Sequence, residues 1–137
     1  MPRENNAMSG TEICAFLRSA EWVALGVLDE TGGPAATVVP AVVKAERLYF
    51  AVAPASPAQV ALTRDSRCCC AIDVFPSYYE IKGATVHGRA ARVDPDPALG
   101  RELERRARTH GLASGVVYAV PILEDSFGFD FAKLARR

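Results

Sequence analysis

The four cysteines are the side chains of this chain best suited to covalent or redox chemistry. They are Cys14 and the three consecutive residues Cys68, Cys69 and Cys70. Neighbouring residues of a strand point to opposite faces, so consecutive cysteines cannot easily pair with each other. No Cys-x-x-Cys spacing accompanies them, and Arg67 is the one basic residue beside them. We interpret the run as small apolar side chains that fill a strand; the alternative is a redox or catalytic thiol.

The sequence shows no other residue pattern typical of a metal site or a catalytic site. The two histidines, His87 and His110, have no partners at metal-ligand spacing, so a zinc site is not expected. His87 lies between Val86 and Gly88 and is interpreted as a surface residue of a strand rather than a general base. No carboxylate pair, Ser–His–Asp order or Cys–His pairing is visible. The catalytic residues therefore stay unknown.

Composition describes one small globular domain. The chain has 137 residues, half of them apolar, with 16 basic and 16 acidic side chains and no net charge. Neither nucleic acid nor a membrane is an expected partner, because there is no basic excess and no long apolar run. The polar start resembles no signal peptide, which predicts a cytoplasmic protein. We expect a flexible N-terminal arm over 1–8 and a single domain over 9–137.

The elements that must position any site alternate between short helices and strands. Ser9 and Glu12 form a capping box that predicts a helix over about 10–20. Ser56 and Pro57 predict the start of a second helix, over about 57–64, and a charged third helix follows at about 99–110. Pro40 lies within a predicted strand and is expected at an edge or a bulge. Six strands are predicted, at about 22–28, 35–44, 47–53, 68–74, 79–93 and 115–123.

Six strands with few helices and short turns predict a mainly β fold, a six-stranded antiparallel split barrel. Closing the sheet protects its edges. A barrel of this size fills its interior with its own side chains, so a ligand would bind at the rim or between subunits. That architecture favours a homodimer.

Several short sequence segments resemble those of the FMN-binding split-barrel family that includes pyridoxamine phosphate oxidase, and they occur in the same order. The resemblance covers about 13–133 and is carried by the turn Asp29-Glu30-Thr31-Gly32-Gly33-Pro34, by Leu62-Thr63-Arg64-Asp65-Ser66-Arg67, by Lys82-Gly83-Ala84-Thr85-Val86-His87-Gly88-Arg89-Ala90 and by Gly128-Phe129-Asp130-Phe131-Ala132-Lys133. It implies a homodimeric flavoprotein with FMN at the subunit interface.

The resemblance also implies where the cofactor would bind. The ring system would lie along the second and third strands, and the phosphate near the second helix, whose N-terminus favours anions. Lys82 and Phe129 would belong to the strand and tail that cover the ring. The implied cofactor-binding residues are Val38, Val39, Pro40, Ala51, Val52, Ser56, Pro57, Ala58, Gln59, Lys82 and Phe129.

Departures from the family pattern remove most of the phosphate's charged partners. Basic residues on the second strand and after the loop serine are replaced by Ala36, Ala41, Pro57 and Ala58, and each lost charge-assisted bond is worth roughly 1.5–3 kcal/mol. The expectation is a small flavin-dependent oxidoreductase of unknown substrate, distinct from the oxidase itself. Flavin chemistry needs few catalytic side chains, because the cofactor carries the reaction. The alternatives are a deazaflavin-dependent reductase, or a module that lost the flavin and binds haem, another ligand or none.

Overall fold

The computed structural model describes residues 5–74 and 80–135. Four helices accompany eight strands among these residues. The helices are α1 Gly10–Ser19, α2 Pro57–Arg64, α3 Pro97–His110 and α4 Ala132–Ala135. The strands are β1 Trp22–Leu28, β2 Pro34–Lys44, β3 Arg47–Val52, β4 Arg67–Val74, β5 Lys82–Arg89, β6 Ala91–Val93, β7 Val116–Pro121 and β8 Ser126–Asp130.

All strand pairs are antiparallel and follow the order β6-β7-β3-β2-β1-β4-β5-β8. The sheet curls so that β5 approaches β7. A Cβ added at Gly88 of β5 would lie 2.8 Å from Cγ2 of Val120, and only glycine leaves room for this contact. The predicted fold class, a mainly β antiparallel split barrel, is confirmed.

The strand count differs from the predicted six. The predicted long strand is divided at Ala90, which is buried and donates its N–H to the Ser66 carbonyl. The chain thereby passes from β5, which pairs with β4 and β8, to β6, which pairs with β7. The start predicted for the long strand, at Tyr79, lies outside the described residues. The tail adds β8, whose alternating aromatic and small residues pair with β5.

The described part of the expected flexible arm, residues 5–8, is fixed to β8. Met8 donates its N–H to Gly128, and Asp130 donates its N–H to Asn6. Lys133 Nζ donates to the Ala7 carbonyl at 2.9 Å. These bonds lie along β8, the strand at the edge of the sheet.

The barrel interior is packed with side chains, as predicted for its size. Alternate residues of each strand point inward, and Phe50 stacks on Tyr118 with 5.7 Å between ring centroids. Cys68 and Cys70 are buried in this core while Cys69, on the other face of β4, is half-buried. The interpretation of the cysteines as strand-filling residues is therefore confirmed for the two inner ones.

One half of the barrel has a covered outer face and the other does not. Leu99 and Leu103 of α3 pack on Ala51 and Val117 from outside. No helix among the described residues covers the outer face formed by β1, β4, β5, β8 and the start of β2. Val38 and Phe127 lie on that face and are 44% and 59% exposed. No helix in the described chain is long and apolar enough to cross a membrane.

Candidate functional site

A groove opens where β2 and β3 separate. β2 pairs with β1 through Pro34–Pro40 but pairs with β3 only through Ala41–Lys44. The N-terminal half of β2 therefore diverges from the end of β3, and α2 begins in the gap. This strand groove has a volume of about 280 Å³. Its lining is almost entirely small and apolar: Ala36, Thr37, Val38, Val39, Ala51, Val52, Ala53, Ser56, Pro57, Ala58 and Ala113.

A second cavity continues the strand groove along α2. This helix cleft has a volume of about 400 Å³, and it shares Ala36, Thr37, Pro57 and Ala58 with the strand groove. Beyond these shared residues it is lined by Val27, Asp29, Glu30, Ala35, Ala55, Val60, Ala61 and Arg64. The two cavities form one continuous trough, apolar in the middle and charged only at the far end of the cleft.

Pro40 explains why the strands can separate here. It is fully buried and lies at the point where β2 changes its partner from β1 to β3. Proline cannot donate a ladder hydrogen bond, so it suits this change of partner. It was expected at an edge or a bulge, and its nitrogen faces the side of β2 away from β1, where the pairing with β3 ends.

Backbone groups of β2 face the strand groove. The Ala41 N–H donates to the Glu21 carbonyl, so odd-numbered residues of β2 bond toward β1. Ala36 and Val38 therefore direct their N–H and C=O groups away from β1, where no described strand pairs with them. Unpaired strand groups can donate to and accept from a ligand seated in the groove.

The polar candidates at the start of α2 already have intramolecular partners. Ser56 Oγ caps the helix by accepting the Gln59 N–H at 3.3 Å. Gln59 Oε1 accepts the Ala55 N–H at 2.5 Å. The Ser56 bond satisfies one N–H group of the first turn of α2. In both bonds the side-chain oxygen is the acceptor, so the Ser56 hydroxyl and the Gln59 amide can still donate to an anion placed here.

The structure brings together seven of the eleven predicted site residues. Val38, Val39, Ala51, Val52, Ser56, Pro57 and Ala58 all line the strand groove. Gln59 lies next to them on the outer side of α2, and Pro40 is buried beneath. Lys82 and Phe129 lie at the far edge of the sheet, on β5 and β8. Within one subunit, those two residues do not reach the groove.

The four positions at which the family pattern has basic residues do not all lie at the trough. Ala36, Pro57 and Ala58 line both cavities, whereas Ala41 is buried in the core, 1% exposed. Two lysines that could replace these basic residues are engaged elsewhere. Lys44 pairs with Asp96 at 3.0 Å, and Lys82 lies 3.8 Å from Asp130. Among the residues that line the trough, Arg64 is the one cation.

Sequence reasoning missed three lining residues, Thr37, Ala53 and Ala113. Thr37 and Ala53 lie within the predicted strands at 35–44 and 47–53, next to predicted site residues, so both could have been found from the strand predictions. Ala113 comes from the segment after α3 and carries no signal in the sequence. It lines the groove because that segment returns the chain to β7, beside β3.

The thiols lie outside the trough. A hydrogen bond with Cys68, together with burial, raises the pKa of Cys70, and burial raises the pKa of Cys69. A hydrogen bond from Cys70 lowers the pKa of Cys68, but Cys68 is buried in the core. A reactive thiol needs both a lowered pKa and access to solvent. The structure does not combine these properties at any of the three consecutive cysteines.

A separate aromatic hollow lies on the uncovered sheet face. It has a volume of about 310 Å³ and is bounded by Trp22, Phe127 and Phe129, with small residues between them. The Phe129 ring lies directly over Gly83, where an added Cβ would be 2.7 Å from the ring. A row of directly paired residues, one per strand, crosses the sheet from the strand groove to this hollow. The row is Val38, Ala24, Ala71, Thr85 and Phe127.

The fold defines a split barrel with an open lateral trough. The profile of the pyridoxamine 5'-phosphate oxidase family matches residues 10–134. The chain therefore belongs to this family, as the resemblance predicted. A sequence search of curated proteins found no match.

Solved structures with the same fold come from several bacteria. A conserved hypothetical protein from Mycobacterium tuberculosis is 20% identical, with a TM-score of 0.79 over 100% of this chain and 94% of that one. An FAD-binding protein from Mycobacterium smegmatis is 16% identical, with a TM-score of 0.68 over 92% and 99%. An FAD- and haem-binding protein from the same organism is 15% identical, with a TM-score of 0.70 over 92% and 73%. At sequence identities this low, the three matches show that the fold is shared and nothing more.

Proposed function

We propose that this chain is a flavin-binding oxidoreductase that holds its cofactor in the strand groove. The observation that carries the proposal is the apolar groove between β2 and β3, in a chain of the pyridoxamine 5'-phosphate oxidase family. Structural neighbours described as FAD-binding support a flavin in general. When bound, the flavin supplies the hydride or electron transfer, and the protein binds and orients it.

The strand groove fits the flavin ring. Val38, Val39, Ala51 and Val52 supply apolar contacts, and small side chains leave room for a flat ring. The free N–H and C=O groups of Ala36 and Val38 offer hydrogen bonds to its polar edge. The groove fits the terminal phosphate of FMN less well, because no basic side chain lines this part of the trough.

The functional unit in this proposal is a homodimer formed through the uncovered sheet face. Val38 and Phe127 are exposed on that face, and the aromatic hollow would lie between the two chains of the dimer. A second copy would bring Phe129, which is remote from the groove within one chain, toward the groove of the other. Lys82 points to the opposite face of β5, where it lies 3.8 Å from Asp130.

A titration of flavin-free protein tests the proposal. Isothermal titration calorimetry with riboflavin, FMN and FAD should give saturable binding at one flavin per chain. Val38→Glu, which puts a carboxylate in the groove, should weaken binding by at least about tenfold, or 1.4 kcal/mol. Val74→Glu is the matched control, because Val74 is 41% exposed at the end of β4 and lies outside the trough.

A second candidate function is a module that has kept the barrel and does not use a flavin. The specific observation in its favour is that Arg64 is the one cation among the residues that line the trough. In that case all three flavins would give flat titrations. A deazaflavin reductase is distinguished by binding of a deazaflavin in the absence of flavin binding, together with sensitivity to Val38→Glu.

A further inference from the structure

We infer that the aromatic hollow is a binding site for a small organic cation, a compact alkylammonium group. The inference goes beyond the proposed function, because the hollow lies apart from the strand groove and its walls belong to one chain. It requires neither a flavin nor a second copy of the chain. Three features carry it: the aromatic walls, a floor of small side chains, and a carboxylate at the edge.

Aromatic side chains border the hollow on two sides. Trp22 on β1 forms one wall, and Phe127 and Phe129 on β8 form the other. β4 and β5 separate these strands in the sheet, so the two walls start three strand spacings apart, about 14 Å between backbones. Cations are attracted to the faces of Trp and Phe rings within about 6 Å of the ring centre. A cation in the middle of the hollow is therefore within reach of both walls.

The floor of the hollow consists of small side chains, which keep the space between the walls open. The cavity has a volume of about 310 Å³, within the roughly 300–1,000 Å³ of small-molecule sites. Gly83 also sets the position of one wall, because an added Cβ would lie 2.7 Å from the Phe129 ring and 3.1 Å from Cβ of Asp73. A larger residue at position 83 would push that ring and the acidic side chain apart. The floor residues are Ala24, Ala71, Gly83 and Thr85.

Asp73 gives the hollow a negative charge. It is the one charged side chain among the described residues that line the hollow. It is directly opposite Gly83 in the register of β4 and β5, so it lies on the same sheet face as the rings. Within residues 5–74 and 80–135, no side chain forms an ion pair with its carboxylate. Lys82 points to the opposite face, where it lies 3.8 Å from Asp130.

These features together favour an organic cation over other ligands. A metal ion needs several oxygen, nitrogen or sulfur donors, and the described part of the chain contains no group of three such side chains. An anion would be repelled by Asp73. A neutral apolar ligand would contact the rings but leave the carboxylate without a partner. An alkylammonium group offers an apolar surface to the rings and a positive charge to both the ring faces and the carboxylate.

Titration with choline chloride tests this inference, and the uncharged control ligand is its carbon analogue, in which a tert-butyl group replaces the trimethylammonium group. Trp22 is the single tryptophan of the chain, so its fluorescence reports directly on the hollow. Calorimetry at constant ionic strength gives the affinity and the number of sites.

Two variants of the hollow are compared with the native protein. Asp73→Asn removes the charge, and Phe129→Leu keeps an apolar side chain but removes the ring. Asp94→Asn is the matched control for the charge, because Asp94 is also exposed and lies outside the hollow. The unfolding temperature of each variant reports whether it has folded.

The expected result is saturable choline binding at one site per chain, at least about tenfold tighter than binding of the carbon analogue. Asp73→Asn and Phe129→Leu should each remove most of that preference, and Asp94→Asn should change neither affinity. The inference is overturned if folded native protein does not bind choline, if both ligands bind equally, or if Asp94→Asn weakens choline binding as much as Asp73→Asn. Flavin titrations are separate measurements, so this inference and the proposed function can fail independently.

Discussion

Ser56 shows how one residue can satisfy a structural requirement at a site where a ligand contact was expected. Its hydroxyl caps α2, and an N-cap serine replaced by alanine typically costs about 1 kcal/mol, whereas glycine costs a few tenths. We expect Ser56→Ala to lower the free energy of unfolding by about that amount and Ser56→Gly to be milder. Urea unfolding measures both. Equal losses for alanine and glycine would contradict a capping role.

Ala36 provides a gain-of-function test at the same scale. It is exposed, lines both cavities and occupies one of the positions where the family pattern has a basic residue. Ala36→Lys should raise FMN affinity by about tenfold or more, since a charge-assisted hydrogen bond is worth roughly 1.5–3 kcal/mol. Riboflavin, which has no phosphate, should gain little.

The control for this substitution is Ala91→Lys, which adds the same charge on β6, far from the trough. Calorimetry with FMN and riboflavin separates a local contact from a general effect of charge. An equal gain for both ligands, or for both variants, would contradict the placement of the phosphate near β2.

Arg106 joins three elements at the closed side of the barrel. Its guanidinium donates to the Ala20 carbonyl at 3.1 Å, to the Ala41 carbonyl at 2.6 Å and to Glu102 at 2.8 Å. Its side chain is only 16% exposed. Arg106 is therefore largely buried, although it belongs to the charged helix predicted from the sequence. The guanidinium fixes the end of α1 and the strand just after Pro40, where β2 begins to diverge.

The pairing of Glu102 with Arg105 and Arg106 makes this junction sensitive to acid. The two guanidinium groups lower the pKa of Glu102 from 4.5 to about 2. A carboxyl whose folded pKa is lowered stabilises the fold above its unfolded pKa, and that contribution is lost as pH falls toward 2. Glu102→Gln should therefore destabilise the protein at pH 7, and the difference from the native protein should shrink below pH 4.5.

Urea midpoints of native protein and variant at pH 7 and pH 2.5 check this expectation. Glu104→Gln, at an exposed position of the same helix, should leave the midpoint nearly unchanged at both values. A Glu102→Gln difference that stays constant over the whole pH range would show that the carboxyl's charge contributes nothing.

Elements were predictable from sequence to the extent that local signals define them. The Ser9–Glu12 box and the Ser56–Pro57 start gave the first two helices to within a residue, because caps and turns are local. The division at Ala90 and the change of partner at Pro40 depend on contacts with distant strands. For the same reason, the sequence could place seven residues beside the groove but could not reveal the helix cleft or the bonds of Arg106.

At the scale of the whole molecule, the uncovered sheet face predicts self-association. Stable interfaces bury about 800 Å² per partner and centre on aromatic and apolar side chains. Phe127, 59% exposed beside the aromatic hollow, has the character of such a centre. Light scattering after size-exclusion chromatography should give twice the 14.7 kDa chain mass.

Phe127→Asp should shift that mass to one chain, because a charge at the centre of an interface is costly to bury. Leu123→Asp is the control, since Leu123 is 48% exposed but lies outside the hollow. A native protein of single-chain mass, or a dimer that survives Phe127→Asp, would contradict association through this face.

The most direct test of the account is calorimetric titration of flavin-free protein with FAD, run in parallel on native protein, Val38→Glu and Val74→Glu. The account predicts saturable binding at one flavin per chain for the native protein and Val74→Glu. It also predicts a loss of at least about tenfold in affinity for Val38→Glu. A flat titration for folded native protein, or equal binding by all three, would contradict a flavin site in the strand groove.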